Sequence, residues 1–97
     1  MEVVNNLYFN ILAIVELRNE SLYEFCANCG IDRSSISRLG SNESTSLSRV
    51  NLEKVALYTG FLPDELHYAD RAVIEANFHA RKDLKYKNIV DLFKSVF

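Results

Sequence analysis

The sequence predicts an all-α fold, on three observations. Apolar residues recur at three- and four-residue steps along most of the chain, helix-stop signals follow these runs, and no pair of strand-like segments flanks a hairpin turn. Three glycines and one proline in 97 residues leave little room for long coil. With 48% hydrophobic and 25% charged residues the composition is that of a packed globule, not of a disordered chain. A chain this short forms one domain at most and buries only about 60–68% of its unfolded surface. That argues against a large internal active site and makes a core shared with a second copy attractive.

The first helix is expected over Val4, Leu7, Tyr8, Ile11, Leu12, Ile14, Val15 and Leu17, closed by Arg18 and Asn19. Ser21-Leu22-Tyr23-Glu24 has the pattern of a capping box, opening a short helix with Leu22, Phe25, Cys26 and Cys29 inward and Gly30 as its left-handed stop. Asp32, alone or with the serines after it, caps a third helix whose apolar pair is Ile36 and Leu39. Gly40 to Ser46 is polar and reads as a loop. A fourth helix is expected from about Ser48 to Thr59, apolar at Val50, Leu52, Val55, Ala56 and Leu57, with Gly60 ending it. Pro63 opens a fifth, carrying Leu66, Tyr68, Ala69 and Ala72 and extending towards Val73 and Ile74. Residues 75–97 are expected to form a C-terminal helical extension to a domain of residues 1–74.

Residues 21–39 carry the functional signal. Two short helices about a Gly turn, with small or apolar side chains at their crossing, make a helix-turn-helix pattern. Phe25, Cys26, Cys29, Gly30, Ile31, Ile36 and Leu39 meet that requirement, leaving Asp32, Arg33, Ser34, Ser37 and Arg38 on the outer face of the second helix.

Leu17-Arg18, Ser21 to Cys26, Gly30 to Leu39 and Leu52 to Leu66 resemble, in order and spacing, the consecutive signatures of the lambda-repressor-like (Cro/CI, XRE-type) helix-turn-helix family. The resemblance spans roughly residues 7–70, with Cys26 where the family usually has Ala and Gly40 in place of a frequent acidic residue. It implies a five-helix bundle, here with an extra C-terminal helical segment, whose third helix enters the DNA major groove, usually in a symmetric dimer. Carried over by position, Arg33, Ser34, Ser37 and Arg38 face the groove, and Ser21 contacts phosphate. The loop residues Ser41 and Asn42 are phosphate-contact candidates, as is Tyr23 if exposed.

The expected function is a sequence-specific transcriptional regulator, a repressor of phage, mobile-element or bacterial origin, acting in the cytoplasm on double-stranded operator DNA. Arg suits base reading because its planar fork bonds guanine O6 and N7 together. The bland alternative makes Arg33 and Arg38 surface cations paired with Asp32 or Glu43. The apolar stripe Leu84, Ile89, Leu92, Phe93, Val96 and Phe97 exceeds what a five-helix bundle needs and is expected to form a homodimer interface. Folding back on its own bundle is the alternative. Two other functions compete: an antitoxin-type regulator holding a protein partner through that segment, and a helix-turn-helix protein-interaction module that has lost DNA binding.

No catalysis, metal or cofactor is expected. There is no Gly-rich phosphate loop, nucleophile elbow or zinc-protease motif, and His67 and His79 lack ligand spacing. Cys26 and Cys29 read as small buried hydrophobes before redox or metal groups. The longest apolar runs, such as Ile11 to Val15, are five residues, far short of a span, and no secretory leader is legible.

The net charge of −2 speaks against DNA until it is divided. Residues 1–31 hold Arg18 against Glu2, Glu16, Glu20 and Glu24, leaving −3, and residues 51–77 likewise carry −3. Residues 32–50 carry +1 and residues 78–97 carry +3. The acidity thus belongs to the flanking helices, and weak non-specific DNA binding is expected.

Overall fold

The computed structural model describes residues 6–44 and 46–81, which fold into six helices with no strand among them. In chain order these are α1 (Leu7–Leu17), α2 (Leu22–Cys29), α3 (Arg33–Gly40), α4 (Arg49–Thr59), α5 (Pro63–Tyr68) and α6 (Arg71–Arg81).

α1 is the hub, in contact with α2, α3, α5 and α6. Its buried residues Leu7, Asn10, Ile11, Ala13, Ile14 and Val15 cover more than half of its circumference, as a helix enclosed by neighbours requires. The helix ends where Asn19 takes φ 56°, a left-handed conformation that Asn tolerates better than most residues. Glu20 N–H then reaches the Val15 carbonyl at 3.2 Å and Asn19 N–H that of Glu16 at 3.0 Å, a Schellman closure.

The local signals around α2 act as their chemistry suggests. Ser21 Oγ accepts from Glu24 N–H at 3.0 Å while the Glu24 carboxylate accepts from Ser21 N–H at 3.1 Å. Gly30 closes α2 at φ 85°, a backbone angle at which a side chain would be strained. Ser48 caps α4 by accepting from Asn51 N–H, Gly60 ends it at φ 80°, and Pro63 is the first residue of α5. Asp32 departs from expectation: it sits at the N-cap of α3, but its side chain makes no capping bond, and the turn closes through its carbonyl, which accepts from Ser35 N–H at 3.1 Å. Gly40 is the last residue of α3 and not the start of the loop. A Cβ on it would stand 2.7 Å from the Tyr8 ring, so α3 and α1 approach through the missing side chain.

The fifth helix does not continue to Ile74. It stops at Tyr68, Ala69 is extended (φ −67°, ψ 146°), and a separate helix, α6, begins at Arg71 and crosses the 74/75 position unbroken. A side chain of α1 is bonded to this corner. Asn10, 3% exposed, points its side-chain amide at the end of α5 and donates to the Leu66 and Ala69 carbonyls, both at 2.9 Å. These are acceptors at and just past the end of a short helix, and one buried amide serves both of them.

α6 then docks on the bundle. Ile74 is fully buried, Phe78 packs against the core, and Asn77 and Arg81 reach the Glu65 carboxylate, each at 2.7 Å. Glu65 also accepts from Leu62 N–H, so one side chain fastens the start of α5 and the end of α6. The core is completed by Phe25, Ile36, Val55, Phe61 and Leu66, all essentially without solvent contact. Val50 departs from the expected apolar face of α4: it is 61% exposed, and the buried residues of that helix are Val55 and Ala56.

Glu20 fixes α2 and the α1–α2 connection against α4. Its carboxylate is bonded by the Arg18 guanidinium, by Tyr58 Oη at 2.5 Å and by Asn28 Nδ2 at 3.0 Å, and the Arg18 guanidinium lies over the Tyr58 ring. Burial pushes its pKa up, but the bonds from Tyr58, Arg18 and Asn28 outweigh burial and hold it below its ordinary value. A carboxylate with a depressed folded pKa stabilises fully above its unfolded pKa, about 4.3, and that share is lost as pH falls through the lower folded value. Thermal unfolding across pH should therefore show Glu20→Gln less stable than the parent at neutrality, with the gap closing in acid. A gap independent of pH would mean that ionised Glu20 contributes nothing.

Candidate nucleic-acid interface

α2 and α3 are joined by Gly30, Ile31 and Asp32, and both helices rest on the core through Phe25, Cys26, Ile31, Ile36 and Leu39. Gly30 N–H and Ile31 N–H both bond the Cys26 carbonyl, at 2.9 and 3.1 Å, which draws the chain tightly around the end of α2. Lys54 on α4 donates to the Gly30 carbonyl at 3.1 Å and braces the turn from behind.

With Ile36 and Leu39 directed inward, Arg33, Ser34, Ser37 and Arg38 are all exposed. At 100° per residue they span an arc of about 140° on one side of α3. Among the described residues neither arginine is in an ion pair, so the pairings with Asp32 or Glu43 that would make them ordinary surface cations are not formed. The Arg33 guanidinium carbon lies 6.0 Å from the centroid of the Tyr23 ring. Tyr23 stands in the first turn of α2 and is 66% exposed.

The other expected contacts fall into two places. Ser21, at the start of α2, is exposed; its oxygen is engaged by Glu24 N–H, and its hydroxyl hydrogen is still available to an acceptor. Ser41 and Asn42 are exposed just beyond α3. Ser41 Oγ bonds the Arg38 carbonyl at 3.3 Å, Glu43 N–H bonds that same carbonyl at 2.9 Å, and Asn42 is left-handed at φ 64°. Leu84, Ile89, Leu92, Phe93, Val96 and Phe97 lie outside the described residues.

No protein-family model, curated protein or solved structure matches this chain.

The two cysteines are free, Cys26 buried and Cys29 half-buried. Burial, with the neighbouring Cys26 adding to it, pushes the Cys29 thiol up to about 11, and burial raises Cys26 as well. The thiolate is the reactive form, so this environment suppresses redox and metal chemistry. Alkylation of Cys29 by iodoacetamide at neutral pH should run about one to two orders of magnitude slower in the folded protein than in the urea-unfolded chain. Equal rates would mean that Cys29 is an ordinary exposed thiol. Among the described residues no group of three or more His, Cys, Asp or Glu is placed to hold a metal ion, and no helix is long and apolar enough to cross a membrane.

Asn10 and Glu20 carry no signal of their roles in the sequence around them; each acts through partners distant in the chain, Leu66 and Ala69 for one and Tyr58 for the other.

Proposed function

We propose that this protein is a sequence-specific DNA-binding regulator of the lambda-repressor-like helix-turn-helix type, with α2, its turn and α3 as the reading unit and α3 in the major groove. The observation that carries the reading is the exposed face of α3, where two arginines without ion-pair partners among the described residues stand with two serines over a buried Ile36–Leu39 underside. A helix with its side chains is about 10–12 Å across, which fits a groove about 12 Å wide. Arg33 and Arg38 read base edges, Ser34 and Ser37 bond bases or phosphates, and Ser21, Ser41 and Asn42 approach the backbone on either side. DNA is bound as a homodimer, so that two copies of α3 reach successive turns of one DNA face. Regulation is by occupancy of an operator, without catalysis.

Selection of bound duplexes from a random pool tests the reading. A motif with two-fold-related halves about 10–10.5 base pairs apart is expected, bound with an affinity that falls steeply as salt rises. No enriched motif, together with salt-independent retention, would overturn it. That result would favour a protein-interaction module, for which the exposed side chains of Phe9, Tyr68 and Val73 provide apolar contact area.

A further inference from the structure

We infer that Tyr23 is a positioning residue for Arg33, its ring holding the guanidinium in place before DNA arrives; this rests on the DNA-binding reading and adds to it a residue that makes the reading arginine selective. Tyr23 is 66% exposed and is not part of the buried core. It stands in the first turn of α2, Arg33 is the first residue of α3, and the contact between them spans the turn. Glu24 and Asp32 are the acidic neighbours in sequence, and neither is paired with Arg33 among the described residues.

An exposed arginine samples many rotamers, and docking both of its donors on a guanine freezes them. A ring that already restricts the side chain removes part of that cost for the correct base. Contact with an aromatic face uses none of the guanidinium's N–H donors, so the fork stays available to O6 and N7. The restriction helps the base that accepts two bonds and does little for the others. Its effect therefore falls on discrimination more than on overall affinity.

The test is a double-mutant cycle on the selected operator and on its variants at the base pair read by Arg33. Tyr23→Leu should reduce the preference there about two- to fivefold, the range of an exposed cation–π contact. Tyr23→Phe, which keeps the ring, should retain it. In an Arg33→Ala background, Tyr23→Leu should change nothing further. In the DNA-free protein the Arg33 side-chain proton resonances should lose their ring-current shift in Tyr23→Leu.

Unaltered preference in Tyr23→Leu overturns the inference, as does a uniform loss across all sequences that persists without Arg33, which would make Tyr23 a direct backbone contact. A loss in Tyr23→Phe equal to that in Tyr23→Leu overturns it too, by assigning the effect to the hydroxyl. Resonances that do not move overturn the contact itself. If the parent protein binds no sequence preferentially, the DNA reading falls and the inference with it.

Discussion

Arg33→Ala and Arg38→Ala are each expected to weaken binding to the selected operator by about 1–3 kcal/mol, roughly 5- to 150-fold, and to relax the preference at one base pair per half-site. Far-UV circular dichroism should stay at the parent values for both, and Tm as well for Arg38→Ala, because both side chains are exposed and make no ion pair among the described residues. Arg33→Ala also loses its contact with the Tyr23 ring, and its Tm should fall by a few degrees at most. The effect should be sequence-dependent. An arginine that reads a base loses discrimination on truncation, whereas one that touches only phosphate loses affinity evenly and lowers the salt slope by about one. The acidic flanks make the distinction easier to see: residues 1–31 and 51–77 each carry −3, so few non-specific contacts remain to mask the loss. Two variants that bind the operator like the parent would remove α3's outer face from the interface.

Asn10→Ala should lower the stability of the domain by more than about 1 kcal/mol. Asn10 is the one buried polar residue in the described core. Its amide serves carbonyls 56 and 59 residues away, which hold the corner between α5 and α6. Removing it leaves the buried Leu66 carbonyl bare, at about 1–3 kcal/mol, and the part-buried Ala69 carbonyl dependent on solvent. With a shift of about 4–8 °C per kcal/mol for a domain of this size, the fall in Tm is large enough for a single calorimetric scan. Asn10→Asp should be worse at neutral pH, since a carboxylate facing two carbonyl oxygens has no donor to offer. A variant that unfolds like the parent would mean that water satisfies those carbonyls instead.

The two predictions differ in how far the sequence foretold them. The exposed arginines were legible because α3 is short and its burial pattern local: Ile36 and Leu39 lie three apart, which directs Arg33, Ser34, Ser37 and Arg38 outward on any apolar support. The capping box at Ser21 and Glu24 and the left-handed stops at Gly30 and Gly60 were legible for the same reason, being set by bonds within a few residues. Asn10 gave no such signal. The run from Leu66 to Ile74 continues a helical pattern, and nothing near Ala69 in the chain forbids another turn. The amide that bonds the carbonyls at this corner lies 56 and 59 residues from them in the chain, a distance that makes it invisible to any local pattern.

Asp32 erred in the other direction. Its residue type and position suited a cap, but its side chain makes no capping bond, and backbone bonding from Ser35 closes the turn. Gly40 looked like loop punctuation, and its use is to let the Tyr8 ring lie against the end of α3.

Helix type, most helix ends and the outward face of α3 were thus determined by the sequence alone, because each depends on contacts within about one or two turns of chain. Tertiary structure decided the corner at Ala69, the separate helix α6, the hydrogen bond from Tyr58 to Glu20 and the ring beneath Arg33. Each of these joins groups from different helices. Their free energy appears only when packing excludes water from a donor and an acceptor together, or holds a charge against a ring.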